Sequence, residues 1–205
     1  MIDGLPIIGL TGGIGAGKSV VAKILTSLGC VVADADANVK KVLQENDIRQ
    51  QLKEWWGDRV IDDSGQINRS EIAQIVFKDP DERSRLEALL HPRARELQDR
   101  QFQTAPQGTV ALVIDAPLLM EVGMDDQCDV VIFIDAPRAM RHRRVLETRG
   151  WDAKELDRRE VTQLSLDMKR KKADYTVTNA GDVTMVRSQI ESVLADILAK
   201  QFEKN

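Results

Sequence analysis

The chain has 205 residues, a net charge of −4, 42% hydrophobic and 30% charged residues, which excludes a disordered chain and allows one substantial core with a small appended unit. No apolar run approaches the ~20 residues of a transmembrane span, and Met1-Ile2-Asp3 carries no basic signal-like segment, so a cytoplasmic protein without membrane contact is expected. Two cysteines, Cys30 and Cys128, are unsuited to a metal knuckle and read as reduced packing residues.

In chain order, Pro6-Ile7-Ile8-Gly9-Leu10 predicts a buried strand. Behind it, Thr11-Gly12-Gly13-Ile14-Gly15-Ala16-Gly17-Lys18-Ser19 contains the P-loop pattern G-x-x-x-x-G-K-[ST], and Val20, Val21, Ile24, Leu25 and Leu28 follow at helical spacing. That strand, loop and helix context is what the motif requires, and a mere glycine-rich turn does not account for both flanks. Residues Gly12 to Val20 are therefore the expected ATP cradle, with backbone N–H groups and a helix dipole facing the phosphates. Lys18 would reach the β- and γ-phosphates and Ser19 would offer its hydroxyl to Mg²⁺.

Gly29 suits the C-terminal end of that helix, and Cys30-Val31-Val32-Ala33 predicts a second strand ended by Asp34-Ala35-Asp36. A helical stretch follows, with Val39, Val42 and Leu43 on a helix opened by Asp36, and Ile48, Leu52, Trp55 and Trp56 on the next. The two tryptophans read as helix-packing residues. Ser70-Glu71-Ile72 starts a further helix. Asp79-Pro80-Asp81-Glu82 combines an N-cap aspartate, a first-position proline and a glutamate three residues on; His91-Pro92 is expected to restart that helix. Residues 47–105 thus form a helical insertion too long for a simple crossover.

Val110–Ile114 and Val130–Ile134 are unbroken apolar runs, as in parallel strands buried on both faces. A short strand at Tyr175–Thr178 precedes Asn179, and Val183, Val186, Ile190, Val193, Leu194, Ile197 and Leu198 mark a closing helix. The fold class is α/β, a five-stranded parallel sheet flanked by helices. In such sheets ligands sit beyond the carboxyl ends of the strands, where the P-loop, Asp34, Asp36, Asp115, Asp135 and Asn179 should converge.

Charge is unevenly placed. Arg138–Lys172 holds 12 basic and 6 acidic residues, +6, against −10 for the rest. A local basic segment on an acidic chain fits a polyphosphate ligand better than a nucleic acid. No N-K-x-D element for guanine is present, and Asp115 is followed by Ala116-Pro117 in place of a catalytic glutamate, which argues against a GTPase and a mechanical ATPase. A kinase acting on a small molecule remains.

The P-loop, Asp34-Ala35-Asp36, Leu89-Leu90-His91-Pro92, Pro117-Leu118-Leu119-Met120-Glu121 and Ala173-Asp174-Tyr175 recur in this order in dephospho-CoA kinases, which the chain resembles over nearly its whole length. The resemblance implies ATP-dependent, Mg²⁺-requiring phosphorylation of the ribose 3′-hydroxyl of dephospho-CoA, the last step of coenzyme A synthesis. The alternative is another P-loop kinase acting on a nucleoside, a nucleotide or a small hydroxy acid. The dephospho-CoA kinase resemblance implies no obligate protein partner. It also implies a core at 1–46, 106–140 and 173–205, a CoA-binding insertion at 47–105 and a lid at 141–172.

Carried onto this chain, the resemblance makes Asp36 the carboxylate that accepts or orients the 3′-hydroxyl proton, with N-capping of its own helix as the competing role. His91 and Pro92 would line the acceptor site, although a histidine satisfied by a helix-end carbonyl fits equally. Pro117, Leu118, Leu119 and Glu121 would form the wall and rim of that site. Asp115 is a candidate Mg²⁺ ligand through water. Arg144 and Arg149 are the lid arginines expected on phosphate; they stand one residue further apart than the family's pair, so Arg143 is an alternative to Arg144. Val20 replaces a common second hydroxyl residue, and Thr178-Asn179-Ala180 departs from the family around Asn179 of the expected ATP site.

Overall fold

A computed structural model describes residues 4–202. Contacts divide the chain into two units, one comprising the chain to Asp34 and from Phe102 onward, the other Ala35–Gln101. The first is built on five parallel strands, β1 (Ile7–Gly12), β2 (Val31–Asp34), β3 (Leu112–Asp115), β4 (Val130–Asp135) and β5 (Tyr175–Thr178), in the order β2-β3-β1-β4-β5. The expected five-stranded parallel sheet is thus present. Ile8, Leu10, Leu112, Ile114, Ile132 and Ile134 are wholly buried, which is why these strands read as unbroken apolar runs. β1 continues past Leu10 because Thr11 and Gly12 stay paired with Phe133 and Ile134. At Gly9 a Cβ would lie 2.7 Å from Leu119 Cδ2 and 2.8 Å from Cys128 Sγ; only hydrogen fits there. Helix α1 (Lys18–Ser27) buries Val21, Ile24 and Leu25, and the chain leaves it through Gly29 at φ 90°, a left-handed turn that glycine makes without strain.

The second unit holds α2 (Ala35–Val42), α3 (Asn46–Trp56), α4 (Arg69–Lys78) and most of α5 (Pro80–Gln103). Its boundaries differ from the expected 47 and 105. Val42 of α2 is buried with Ile48, Leu52, Trp56, Val60, Ile72 and Leu90, so α2 shares the insertion's core. Asp79 Oδ1 accepts from the N–H groups of Asp81 (2.9 Å) and Glu82 (3.3 Å), the cap read from its sequence. Asn68, not recognised beforehand, caps α4 by accepting from Glu71 N–H at 3.2 Å. The restart expected at His91-Pro92 does not occur; α5 runs for 24 residues with Pro92 inside it. Proline removes one backbone hydrogen bond, whereas Leu86, Leu89, Leu90, Ala94 and Leu97, on either side of it, pack into one cluster. That shared burial outweighs the loss. Trp56 Nε1 donates to Glu82 at 2.9 Å and Arg85 stacks 3.9 Å above Trp55, so both indoles pack inside this unit.

After β4 come α6 (Arg138–Arg149), α7 (Ala153–Glu160) and α8 (Leu166–Lys172), and after β5, α9 (Val183–Phe202). The segment expected as a lid at 141–172 is grouped by contact with the sheet. The expected core boundaries at 1–3 and 203–205 lie outside the described residues. Lys169, on α8, is fully buried and pairs at 2.7 Å with Glu121, which follows β3. Its remaining protons reach Gln163 Oε1 at 3.2 Å and Pro117 O at 3.4 Å, and Glu121 also accepts from Leu164 N–H at 3.0 Å. This pair ties the α7–α8 connection to the β3 loop. Among the described residues, no helix is long and apolar enough to cross a membrane.

Both cysteines are free. Burial raises the thiol of Cys30 from 9.0 to about 11, and burial aided by Asp125 and Asp129 raises that of Cys128 to about 12. A pKa raised by folding contributes stability that is complete below the usual thiol value and lost as pH rises through the folded value. The unfolding midpoint in urea should therefore fall between pH 9 and pH 11 by more in the native sequence than in a Cys30→Ala/Cys128→Ala variant, and iodoacetamide at pH 8.5 should label the folded chain at least ~100-fold more slowly than the unfolded one. Lys169→Met, which strands a half-buried Glu121, should cost about 3–5 kcal/mol in denaturant unfolding, and Glu121→Leu added to it should recover much of that loss.

Candidate active site

The loop between β1 and α1 is shaped by glycine. Gly15 (φ 75°) and Gly17 (φ 92°) adopt left-handed backbone, and at Gly12 a Cβ would lie 2.7 Å from the carbonyl oxygen of Ile134. Ala16 N–H closes the turn on Gly13 O at 3.0 Å. Gly17 stands at the N-cap of α1 with no side chain to cap it, and no acidic residue occupies the first turn. The first amides of α1 have no side-chain cap and suit an anion, while within the expected stretch from Gly12 to Val20 the sheet pairs Gly12 with Ile134 and the N–H groups of Ala16 and Val20 are taken by Gly13 O and Gly17 O.

Lys18 Nζ lies 3.6 Å from Asp115 Oδ1, with 17% and 12% of the two side chains exposed. Asp115 ends β3 in register with Leu10 of β1 and Asp34 of β2, so the sheet itself delivers the carboxylate beside the loop. Ser19 is exposed at the start of α1. A hydroxyl and a carboxylate are hard oxygen donors that suit Mg²⁺ completed by water and phosphate oxygens. Among the described residues no group of three or more His, Cys, Asp and Glu could hold a metal alone.

Asp36 is exposed in the first turn of α2, two residues beyond β2. The helix begins at Ala35, so Asp36 is not its N-cap, although its charge favours a helix N-terminus. His91 and Pro92 are exposed in the middle of α5. The helix-end carbonyl considered for His91 is therefore absent. Pro117 and Leu118 are half-buried, Leu119 is fully buried in the core against Gly9, and Glu121 is engaged by Lys169.

The basic segment sorts its arginines by depth. Arg144 donates to the carbonyls of Gly15 (3.3 Å), Ala16 (3.1 Å) and Asn179 (3.3 Å) and to Asn179 Oδ1 (3.0 Å). Burial, with the charge of Arg143 beside it, lowers its pKa, and among the described residues no carboxylate forms an ion pair with it. That uncompensated cation lies against the loop. Arg149 is exposed and stacks 4.7 Å from the Trp151 ring, and Arg143 is exposed beside Glu147. Asn179 is 4% exposed and donates to Ala16 O at 2.8 Å; its amide holds the loop expected to bind ATP. Arg141, not singled out in the sequence, is also buried against the loop. Its place four residues before the buried Val145, on the inner face of α6, was the available signal.

The profile of the family described as dephospho-CoA kinase matches residues 6–184. A dephospho-CoA kinase of Syntrophotalea carbinolica is 34% identical over 94% of this chain and 92% of its own length; one of Corynebacterium diphtheriae is 37% identical over 85% and 88%. Among solved structures, a Thermus thermophilus protein superposes with a TM-score of 0.82 at 33% identity, covering 94% of this chain and 97% of its own. The shikimate kinase of Acinetobacter baumannii, at 17% identity and TM-score 0.53 over 96% and 94%, shares the fold. Because the profile runs from the start of β1 through β5 into α9, it takes in the whole sheet and the cradle at its edge, and the chain belongs to the dephospho-CoA kinase family.

Proposed function

We propose that the chain transfers the γ-phosphoryl group of ATP to the ribose 3′-hydroxyl of dephospho-CoA, giving coenzyme A and ADP. The observation that carries this reading is the glycine-rich loop with Lys18 at its end and, against it, Arg144, which among the described residues has no carboxylate partner, in a chain of this family. Small molecules are its substrates. Members use ATP and generally need a divalent metal; here that ion is Mg²⁺, with Ser19 and, through water, Asp115 as protein donors. When bound it would neutralise charge on the β- and γ-oxygens.

The chain's own residues do the rest. The amides of the loop other than that of Ala16, which is taken by Gly13 O, hold the donor phosphates, and Lys18, kept in place by Asp115, follows the transferring group. The 3′-oxygen forms a bond to phosphorus as the bond to the β,γ-bridging oxygen breaks; the hydroxyl proton passes to Asp36 and the electron pair leaves with ADP. A loose transition state asks for alignment more than for a strong base. His91, Pro92, Pro117 and Leu118 are assigned to the acceptor, while Leu119 and Glu121 support it from the core and from the Lys169 tie. Arg149 reaches phosphate only if it leaves Trp151. The two free cysteines fit the cytoplasm as compartment.

A coupled ADP-release assay should show turnover with dephospho-CoA and none with nucleoside monophosphates, adenosine or shikimate; absence of turnover with dephospho-CoA defeats the reading. Asp36→Asn should lower kcat by about 10²–10⁴-fold with ATP affinity kept, whereas Lys18→Ala should abolish turnover. EDTA should stop the reaction and added Mg²⁺ should restore it.

A further inference from the structure

Arg141 has no part in the chemistry just described, yet it is 4% exposed. Its Nε donates to Ala136 O, just after β4, at 3.2 Å, and its Nη1 donates both to Ile14 O of the loop at 3.3 Å and to the carboxylate of Glu160, the last residue of α7. Arg144 and Asn179 hold the next two loop carbonyls, those of Gly15 and Ala16. Three successive carbonyls are thus drawn outward. Among the described residues no peptide bond is cis, and in a trans peptide the C=O and the following N–H point in opposite directions. Anchoring Ile14 O therefore turns Gly15 N–H to the other side of the loop, and anchoring Ala16 O does the same for Gly17 N–H. The Ala16 N–H, by contrast, is spent inside the loop, on Gly13 O.

We propose that Arg141 is a positioning residue for the nucleotide polyphosphate. It acts through the Ile14 carbonyl, fixing the direction of the Gly15 N–H, and Glu160 fixes Arg141. Arg141 and Arg144 differ in one respect. Glu160 neutralises Arg141, which leaves it a geometric clamp, whereas Arg144 adds an unpaired charge. Because Glu160 ends α7, the seating of that helix in the expected lid segment sets how firmly the cradle is held. This inference rests on the proposed function only in taking the P-loop as the donor site.

The test is calorimetric titration of ATP, ADP and AMP, without acceptor, into the native chain and the variants Arg141→Met, Arg141→Lys and Glu160→Gln, with kcat at saturating ATP and the ligand-free Tm measured alongside. Arg141→Met should weaken ATP and ADP by the same factor, about tenfold for one charge-assisted hydrogen bond, and leave AMP, with its single phosphate, within about twofold. It should lower saturated kcat by less than about threefold. Arg141→Lys should recover part of the affinity, and Glu160→Gln should weaken ATP and ADP together while AMP again stays within about twofold, although the ligand-free Tm falls because the buried Arg141 loses its carboxylate. Unchanged ADP affinity in both Arg141→Met and Glu160→Gln overturns the proposal. So does a ~100-fold fall in kcat with ADP affinity intact, which would place Arg141 on the transferring group, or an equal loss for all three nucleotides. Should Arg141→Met fail to fold, the other two variants decide the matter. A native chain that binds ATP but does not phosphorylate dephospho-CoA refutes the acceptor assignment alone.

Discussion

A cradle made of main-chain amides has no side chains to adjust, so its selectivity for anions depends on what restrains the peptide planes from outside. In this molecule the restraint is tertiary. The loop leaves β1, which lies between β3 and β4, and the chain after β4 enters α6, whose buried face carries Arg141 and Arg144. The end of β5 brings Asn179 to the same carbonyls. A parallel sheet gathers the carboxyl ends of all its strands at one edge, which is how residues more than 120 positions apart come to hold a single turn. The glycines are the complement of that arrangement. At Gly12 the neighbouring strand's carbonyl occupies the space a side chain would need.

The basic character of the 138–172 segment resolves into different energetic roles. Arg138 with Asp157, Arg158 and Arg159 with Glu155, and Arg170 with Asp135 form partly exposed pairs, which water and salt screen and which contribute little to stability. The two cations beside Glu155 hold its carboxyl down to about 2. Lys169 and Arg141 are a different class. They are buried, so each must be matched by a carboxylate and by further acceptors, and Glu121 with Gln163, and Glu160 with two backbone carbonyls, supply these. Charge without a carboxylate is left on Arg144, where a polyphosphate is expected.

Much of this was legible in the residues. The sheet was, because parallel strands buried on both faces are spelled as unbroken apolar runs, and the loop was, because its glycines and Lys18-Ser19 meet a backbone requirement few other sequences satisfy. The Asp79 cap was read from its local chemistry and is present. What escaped notice depends on distant partners. A lysine among Met168, Arg170, Lys171 and Lys172 looks solvated, and only the fold reveals that Lys169 turns inward to Glu121. Arg141 was one arginine of twelve basic residues until α6 was seated on the loop. His91-Pro92 misled for the opposite reason, since a local signal for a new helix was overruled by apolar packing on both sides of it. Asn179 was read as part of the ATP site with no contact specified, and only the fold reveals that its amide is taken by Ala16 O.

The strand order also sets an order of events for a chain emerging from synthesis. β1 is made before both of its neighbours, Leu112–Asp115 and Val130–Asp135, so its edges stay unpaired until more than a hundred further residues exist. The helical unit, whose cluster spans Val39 to Leu97, draws only on contacts available earlier and closes far shorter loops. It can therefore collapse while the phosphate loop is still an open turn. Nucleotide affinity becomes a late property of the nascent chain, acquired when β4 docks and completed when β5 delivers Asn179. Until then β1 is an apolar strand with two bare edges, the segment most in need of protection from other chains.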